Sequence, residues 1–302
     1  MKKTIIGVDN GYGLTKTVHS SFITSLEKFD SEPPIKRKVI KYNDTWYAAG
    51  EKRLTVMNDK TDNENNYILT LIAIAEELKY RGVTEAHVYL SAGLPLTKFG
   101  TQKDDFKKYL TKNRSVKFNY EDIDYNIIID ENVVLSPQGY SAILPIIKEF
   151  EHDIVIVDIG SWTIDILPII EGIPDTSGCI TLNEGVIKCM NRVNEELRRV
   201  FGNDITEKQI QDVMQDKESN LPEKYLNVVR NTIIEYTKNI VSLLGENGFN
   251  LDTTDFVVIG GGACVISNFG MNMIENATVI GDINANAVGY EYIAKAQLGI
   301  MD

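Results

Sequence analysis

Three glycine-rich turns stand at the ends of apolar runs, and each carries residue types suited to a polyphosphate. The first reads Asp9-Asn10-Gly11-Tyr12-Gly13 and runs on to Lys16. The second reads Asp158-Ile159-Gly160-Ser161-Trp162-Thr163 with Asp165 beyond, and the third is Ile259-Gly260-Gly261-Gly262-Ala263. Glycine lets backbone N–H groups approach phosphate oxygens closely. Lys16 would neutralise charge developing on a phosphoryl group, and Ser161 and Thr163 add hydroxyl donors. Aspartates at strand ends suit Mg²⁺ held through water, because that ion keeps much of its hydration shell. Two common phosphate sites are excluded. A Walker-type loop needs Gly-Lys before Ser or Thr, but Lys16 follows Thr15. A dinucleotide fingerprint needs a third glycine where Lys16 stands. What remains is a pair of hairpin turns gripping one polyphosphate, with Asp9 and Asp158 facing one Mg²⁺. Each turn also has a plain reading: Asx-Gly pairs form hairpin turns without ligands, and a Gly-Gly-Gly run can be a tightly packed strand-to-helix turn.

The elements that must position these residues follow from periodicity. Ile5 to Asp9 and Leu14 to Val18 read as strands around the first turn, and Lys36 to Tyr42 with Thr45 to Ala48 as a hairpin across Asn43-Asp44. Ile68, Leu71, Ile72, Ala75 and Leu78 recur at helical spacing, predicting a helix over 67–80, and Ala86 to Leu90 reads as a strand. Ile127 to Leu135 is extended, and Pro137 is expected to open a helix toward Phe150. Ile154 to Asp158, Ile164 to Ile170 and Ile180 to Leu182 form a second set of strands. Helical patterns fill Glu184 to about Gly245, a buried strand spans Asp255 to Ile259, and a last helix covers Ala285 to Leu298. Two halves thus each begin with strands around a glycine turn that follows an aspartate, a cryptic duplication. The polar run at 58–66 reads as a surface loop.

Composition sets the limits. With 302 residues the chain can bury a substantial core, and 43% hydrophobic and 25% charged residues are ordinary for a soluble globular protein. No run is apolar enough to span a bilayer, and the N-terminus Met1-Lys2-Lys3 leads into a short β-like run without a signal segment. Three cysteines without CxxC spacing suit a reducing compartment, so a cytoplasmic location is expected. A net charge of −12 opposes direct binding to nucleic acid. The one compact basic run, Lys36-Arg37-Lys38 with Lys41, alternates with apolar residues and reads as a strand with a solvated face. His19, His87 and His152 lack metal-ligand spacing and are given no role.

In this order, the motifs resemble the phosphate-one, phosphate-two and adenosine motifs of the actin, heat-shock chaperone and sugar-kinase superfamily. Pro137-Gln138-Gly139-Tyr140-Ser141-Ala142 is similar to its first connecting helix and Asn284 to Tyr290 to its second. The resemblance implies an α/β, actin-like fold: two ribonuclease-H-like lobes with a nucleotide cleft between them. Lobe I would comprise 1–150 plus 284–302, and lobe II 151–283. Ser91-Ala92-Gly93-Leu94-Pro95-Leu96 and Trp46-Tyr47-Ala48-Ala49-Gly50-Glu51 resemble runs of the ParM (StbA) class of bacterial plasmid-segregation actins.

The resemblance also implies roles. Asn10, Gly11, Tyr12, Gly13, Lys16, Gly160, Ser161, Trp162, Thr163, Gly260, Gly261, Gly262 and Ala263 would bind nucleotide, with Glu184 and Lys188 at the base and ribose. Asn183 and Glu184 equally suit a helix N-cap and its first-turn acid. Asp9 and Asp158 would hold Mg²⁺ through water, and a polar residue on the first connecting helix would orient the attacking water. Gln138 is the candidate; the family's Glu or Gln aligns either here or nearer Ser136, with Glu131 upstream. The implied function is an ATP- or GTP-hydrolysing protein that stacks head to tail into filaments and moves plasmid DNA through a DNA-bound adaptor of ParR type. Alternatives within the superfamily are a small-molecule kinase, a chaperone ATPase, and a cell-shape or phage-encoded scaffold. No sugar-binding constellation favours the kinase, and no substrate-binding β domain favours the chaperone.

Overall fold

The computed structural model describes residues 1–50, 53–54, 60–61 and 63–300. Glu51 and part of the polar run at 58–66 lie outside the described residues. The chain divides into two compact units, Met1–Ile147 with Asn284–Asp302, and Lys148–Ile283.

Along the chain, the first unit forms β1 (Lys2–Asn10), β2 (Leu14–Lys16), β3 (Ser21–Ile23), β4 (Glu27–Phe29), β5 (Val39–Tyr42), β6 (Thr45–Ala48), α1 (Asn65–Tyr80), β7 (Glu85–Leu94), α2 (Leu96–Leu110), β8 (Ser115–Tyr120), β9 (Ile123–Ile129), β10 (Val134–Pro137) and α3 (Tyr140–Ile143). The second forms β11 (Ile154–Ile159), β12 (Ile164–Ile170), β13 (Ile173–Pro174), β14 (Ile180–Leu182), α4 (Val186–Phe201), α5 (Glu207–Met214), α6 (Glu223–Glu246), β15 (Asp255–Ile259), α7 (Ala263–Phe269) and β16 (Ala277–Val279). The chain returns to the first unit as α8 (Ala285–Leu298).

In the first unit the strand order is β3-β2-β1-β7-β9-β8-β5-β6-β4. β1 and β7 are parallel from Lys2↔Ala86 to Val8↔Ala92, while β2 returns antiparallel to β1. β9 and then β10 share one edge of β7. They are separated where Asp130 turns its carboxylate onto the Asn132 N–H. β1 is buried from Thr4 to Asn10, which is why its apolar run is continuous rather than alternating. α1 covers the sheet with Tyr67 to Ala75 and Leu78 buried. α8 lies close to the sheet and to α3 because glycines face it. A Cβ on Gly93 would overlap the Tyr290 ring, and one on Gly289 would overlap the Ser141 carbonyl.

The second unit orders its strands β13-β12-β11-β15-β16, with β14 on β12. β11 repeats the arrangement of β1, with an antiparallel return strand on one side and a parallel strand on the other. α4 buries Cys189, Met190, Val193 and Leu197, and α6 buries Val229, Ile233, Tyr236 and Ile240. Both stripes keep helical spacing.

The structure differs from the sequence reading in two places. Pro137 ends β10 instead of opening a helix, and Gln138 lies in the turn before α3. Gly139 takes φ 77, a left-handed conformation that helix cannot continue through. The helix is brief, passing into a 3₁₀ turn over Leu144–Glu149 where Pro145 lacks the N–H that would bond Ser141. The basic run Lys36-Arg37-Lys38 precedes β5 as a turn with Lys38 at φ 56. Lys36 pairs with Glu32 and Asp122, and Lys38 with Glu76, so the run is locally neutralised.

Candidate functional site

In the first unit the site is built on the C-terminal end of β1. Gly11 N–H donates to Leu14 O at 3.1 Å and closes the β1–β2 turn, which brings Asp9 level with Lys16. Lys16 Nζ then lies 2.8 Å from Asp9 Oδ2. Gln138 Nε2 donates to Asp9 Oδ1 at 2.9 Å, so both carboxylate oxygens are engaged. Gln138 is held in turn by its own N–H on Leu94 O, and Gly139 N–H donates to Asn286 Oδ1. Burial opposes ionisation of Asp9, but Lys16, Lys60 and Gln138 outweigh it, and the carboxyl stays below its usual range. Asp9 is therefore an anion with fixed orientation. Ser136 is buried in β10, and Glu131 is exposed and pairs with Arg114, so among these alternatives it is Gln138 that reaches Asp9.

The carbonyl oxygens of the turn are held by Thr24. Thr24 N–H donates to Gly13 O at 3.0 Å and Thr24 Oγ1 to Gly11 O at 2.7 Å. These carbonyl oxygens, which would repel phosphate, are thereby tied back into the protein. Tyr12 is half-buried at the tip. Asn10 is turned inward: it is buried, and its Nδ2 donates to Thr70 Oγ1 of α1 at 2.8 Å, so its side chain braces the strand.

In the second unit the same solution is reached by different means. Gly160 N–H donates to Thr163 O at 2.9 Å and closes the β11–β12 turn. The N-terminus of α4 then supplies three donors: Gly185 N–H to Trp162 O, Val186 N–H to Gly160 O, and Ile187 N–H to Ser161 O, at 3.0 to 3.1 Å. First-turn amides of a helix have no partner within it, and here the turn carbonyls provide one. The fit requires Gly185, because a Cβ there would lie 2.5 Å from Trp162 N and 2.6 Å from Ser161 C. Trp162 projects from the turn at 42% exposure. Thr163 Oγ1 donates to Asp165 Oδ2 at 3.1 Å and Thr181 Oγ1 to Asp165 Oδ1 at 2.6 Å. The Thr163 hydroxyl proton is thus directed at Asp165, whereas the sequence reading aimed it at phosphate.

Asp158 stands beside this turn, level with Ile259 of β15. Its carboxylate packs against Gly260, which takes φ 90 and has no room for a side chain. Gly262 is required for packing too, since a Cβ would meet Val186 Cγ1 at 2.6 Å. Gly261 alone of the three has open space above it, while Ala263 is buried. Of this run Gly261 is exposed and Gly260 half-buried. Glu184 and Lys188 pair with each other, and Glu184 also meets Arg192 at 3.4 Å. The N-cap of α4 is Gly185, so Asn183 does not cap the helix.

The residues fit Mg²⁺ held through water better than direct coordination. Asp9 is anionic but a direct metal bond would displace Lys16 or Gln138. Among the described residues, no cluster of three His, Cys, Asp or Glu side chains forms a protein-only metal site.

Two family models match the chain. The model of the N-terminal domain of actin-like proteins matches residues 7–140, and that of the C-terminal domain of archaeal MreB-like actin homologues matches residues 156–269. The chain belongs to the actin-like protein family. Solved structures share the fold of this actin-like protein. An archaeal actin homologue, Ta0583, in complex with ADP aligns with a TM-score of 0.75 at 19% identity, covering 97% of this chain and 99% of that one. A ParM from Clostridium botulinum, solved as a 15-stranded filament, gives 0.74 at 21% identity over 98% and 100%. The actin-like protein Alp7A gives 0.76 at 14% over 99% and 97%. A search of the curated proteins found no match. Among the described residues no helix is long and apolar enough to cross a membrane.

Three contributors escaped the sequence reading. Thr24 and Gly185 act through backbone geometry, which no spacing encodes. Lys60 lies in the polar run taken as a surface loop, yet it is buried in the first unit.

Proposed function

We propose that this actin-like protein binds and hydrolyses Mg²⁺-ATP, or GTP in its place, and that the bound nucleotide drives head-to-tail filament assembly. The two glycine turns engage one nucleotide, and Asp9 and Asp158 face its Mg²⁺ through water. The observation that supports this reading most is shared by both units: each turn has its carbonyls tied back, beside an aspartate at a strand end.

Each residue then has a task. Lys16 and the backbone amides of the turns hold the polyphosphate. Trp162 and the open backbone at Gly261 border the nucleotide, with Glu184 and Lys188 toward base and ribose. The Mg²⁺ supplies charge neutralisation across the phosphates. Gln138 donates through Nε2 to Asp9, which fixes its amide and leaves Oε1 as the acceptor for a water proton. It thereby orients that water for attack on the terminal phosphate. Hydrolysis weakens contacts between stacked subunits, and a heterologous contact of this kind generates open filaments. Following the ParM class, the filament moves plasmid DNA through a DNA-bound adaptor of ParR type, which accords with the net charge of −12. The test is light scattering and electron microscopy of the purified protein with Mg²⁺ and ATP or GTP. Nucleotide-dependent filaments support the reading, and a dispersed protein under every nucleotide at high concentration overturns it.

A further inference from the structure

Two lysines act on the buried carboxylate of Asp9. Lys16 forms an ion pair with it at 2.8 Å. A second lysine, Lys60, shares their electrostatic field and is itself only 8% exposed. Its ammonium donates to Gly93 O at 3.4 Å, a long bond to a neutral acceptor, and stands 5.9 Å from the centre of the Phe106 ring. Among the described residues no carboxylate forms an ion pair with it. Burial pushes its pKa down to about 8, with Asp9 opposing the shift and Lys98 and Lys16 reinforcing it. Burying an ammonium against a neutral carbonyl acceptor is costly, and an anionic ligand beside it offsets that cost.

The position of this buried ammonium is informative. The parallel register of β1 and β7 ends at Val8↔Ala92, so Gly93 comes level with Asp9. Gly93 is also paired with Ser136 of β10, two residues before Gln138. Lys60 is thus anchored at the carboxyl ends of parallel strands, the edge of an α/β sheet where ligands bind.

We propose that Lys60 is a direct ligand of the bound polyphosphate, a second cation beside Lys16. This rests on the nucleotide reading above. The competing role is a tether that holds its segment to β7 through Gly93 O. The two roles predict opposite signs for Lys60→Met, which keeps the apolar stem and removes the charge.

The experiment measures affinity for ATP and GTP, and for AMP and GMP, by displacement of a fluorescent nucleotide, together with melting of the nucleotide-free protein. A lost charge-assisted hydrogen bond predicts triphosphate binding weaker by about ten- to a hundredfold in Lys60→Met, with monophosphate binding little changed and the melting temperature equal or higher. Lys60→Gln keeps a donor for Gly93 O without the charge and is expected to lose the same affinity. Lower melting with all nucleotides weakened alike, or full affinity in Lys60→Gln, overturns the proposal. A wild type that binds neither triphosphate refutes the nucleotide reading itself, whereas a binding wild type with equally tight Lys60→Met refutes only the role of Lys60.

Discussion

Gly185→Ala isolates the coupling between α4 and the β11–β12 turn. Gly185 has φ −65 and ψ 170, a conformation any residue adopts, so the substitution acts through space alone. The new Cβ would lie 2.5 Å from Trp162 N and 2.6 Å from Ser161 C, where about 3.5 Å is the closest comfortable separation. Both neighbours are backbone, so no rotamer absorbs the overlap, and helix and turn must part by about 1 Å. Overpacking of this kind costs about 1–3 kcal/mol. It also stretches the donations from Gly185, Val186 and Ile187 to the turn carbonyls. A net bond of this type contributes about 1 kcal/mol. The expected destabilisation is about 2–3 kcal/mol. Hydrolysis should fall by about 100-fold, because a displacement of about 1 Å in a positioning element costs that much. Melting curves and steady-state turnover at a temperature where the variant stays folded give the two numbers. Gly245→Ala is the control: its Cβ meets nothing within 4 Å in α6, so it should stabilise by about 0.5–1 kcal/mol without changing turnover. Wild-type turnover in Gly185→Ala would refute the coupling.

Further outcomes are expected. Asp158→Ala should abolish Mg²⁺-dependent hydrolysis; normal turnover would show that the metal-facing carboxylates were misassigned. Gln138→Ala should lower kcat on the order of 10² with KM little changed, the mark of water positioning, and a raised KM with intact kcat would contradict it. Glu76 accepts from Tyr120, from Lys38 Nζ at 2.9 Å and from Ser20 Oγ at 3.0 Å. Burial opposes its ionisation, but these donors outweigh it and lower its pKa. A lowered carboxyl pKa stabilises above the ordinary value near 4.5 and loses that contribution as pH falls through the folded-state value. Glu76→Gln should therefore cost about 1–3 kcal/mol at neutral pH, a difference that shrinks in acid titration as the carboxylate is protonated. A gap independent of pH would exclude this origin.

Legibility in the sequence followed periodicity. The buried strands ending in Asn10, Ile159 and Ile259, and the helix at Ala285–Leu298, stand where their apolar patterns place them. The Asn43-Asp44 turn, with both residues at positive φ, is the hairpin its Asx pair encodes. Pro137 misled because proline suits the end of an edge segment as well as a first helical turn, and Gly139 decided between them. At the site, Asp9 and Lys16 were chosen from one motif and Gln138 from another, and the β1–β2 register and the β10 turn bring them together. Glu184 and Lys188 were chosen for a ligand, and the structure pairs them with each other. Gly260 and Gly262 were read both as nucleotide contacts and as a tightly packed turn, and protein atoms occupy the space a Cβ would need at each. Lys60 could not be recognised, since a lysine in a polar run signals solvent, and its burial depends on tertiary contacts with Gly93 and Phe106.

The most direct test of the account is sedimentation of the purified protein with Mg²⁺ and ATP or GTP, with electron microscopy of the pellet. Filaments should form with triphosphate, fail to form without it, and disassemble as phosphate is released. A protein that binds and hydrolyses nucleotide yet stays in the supernatant at every concentration would contradict the claim that this site drives assembly.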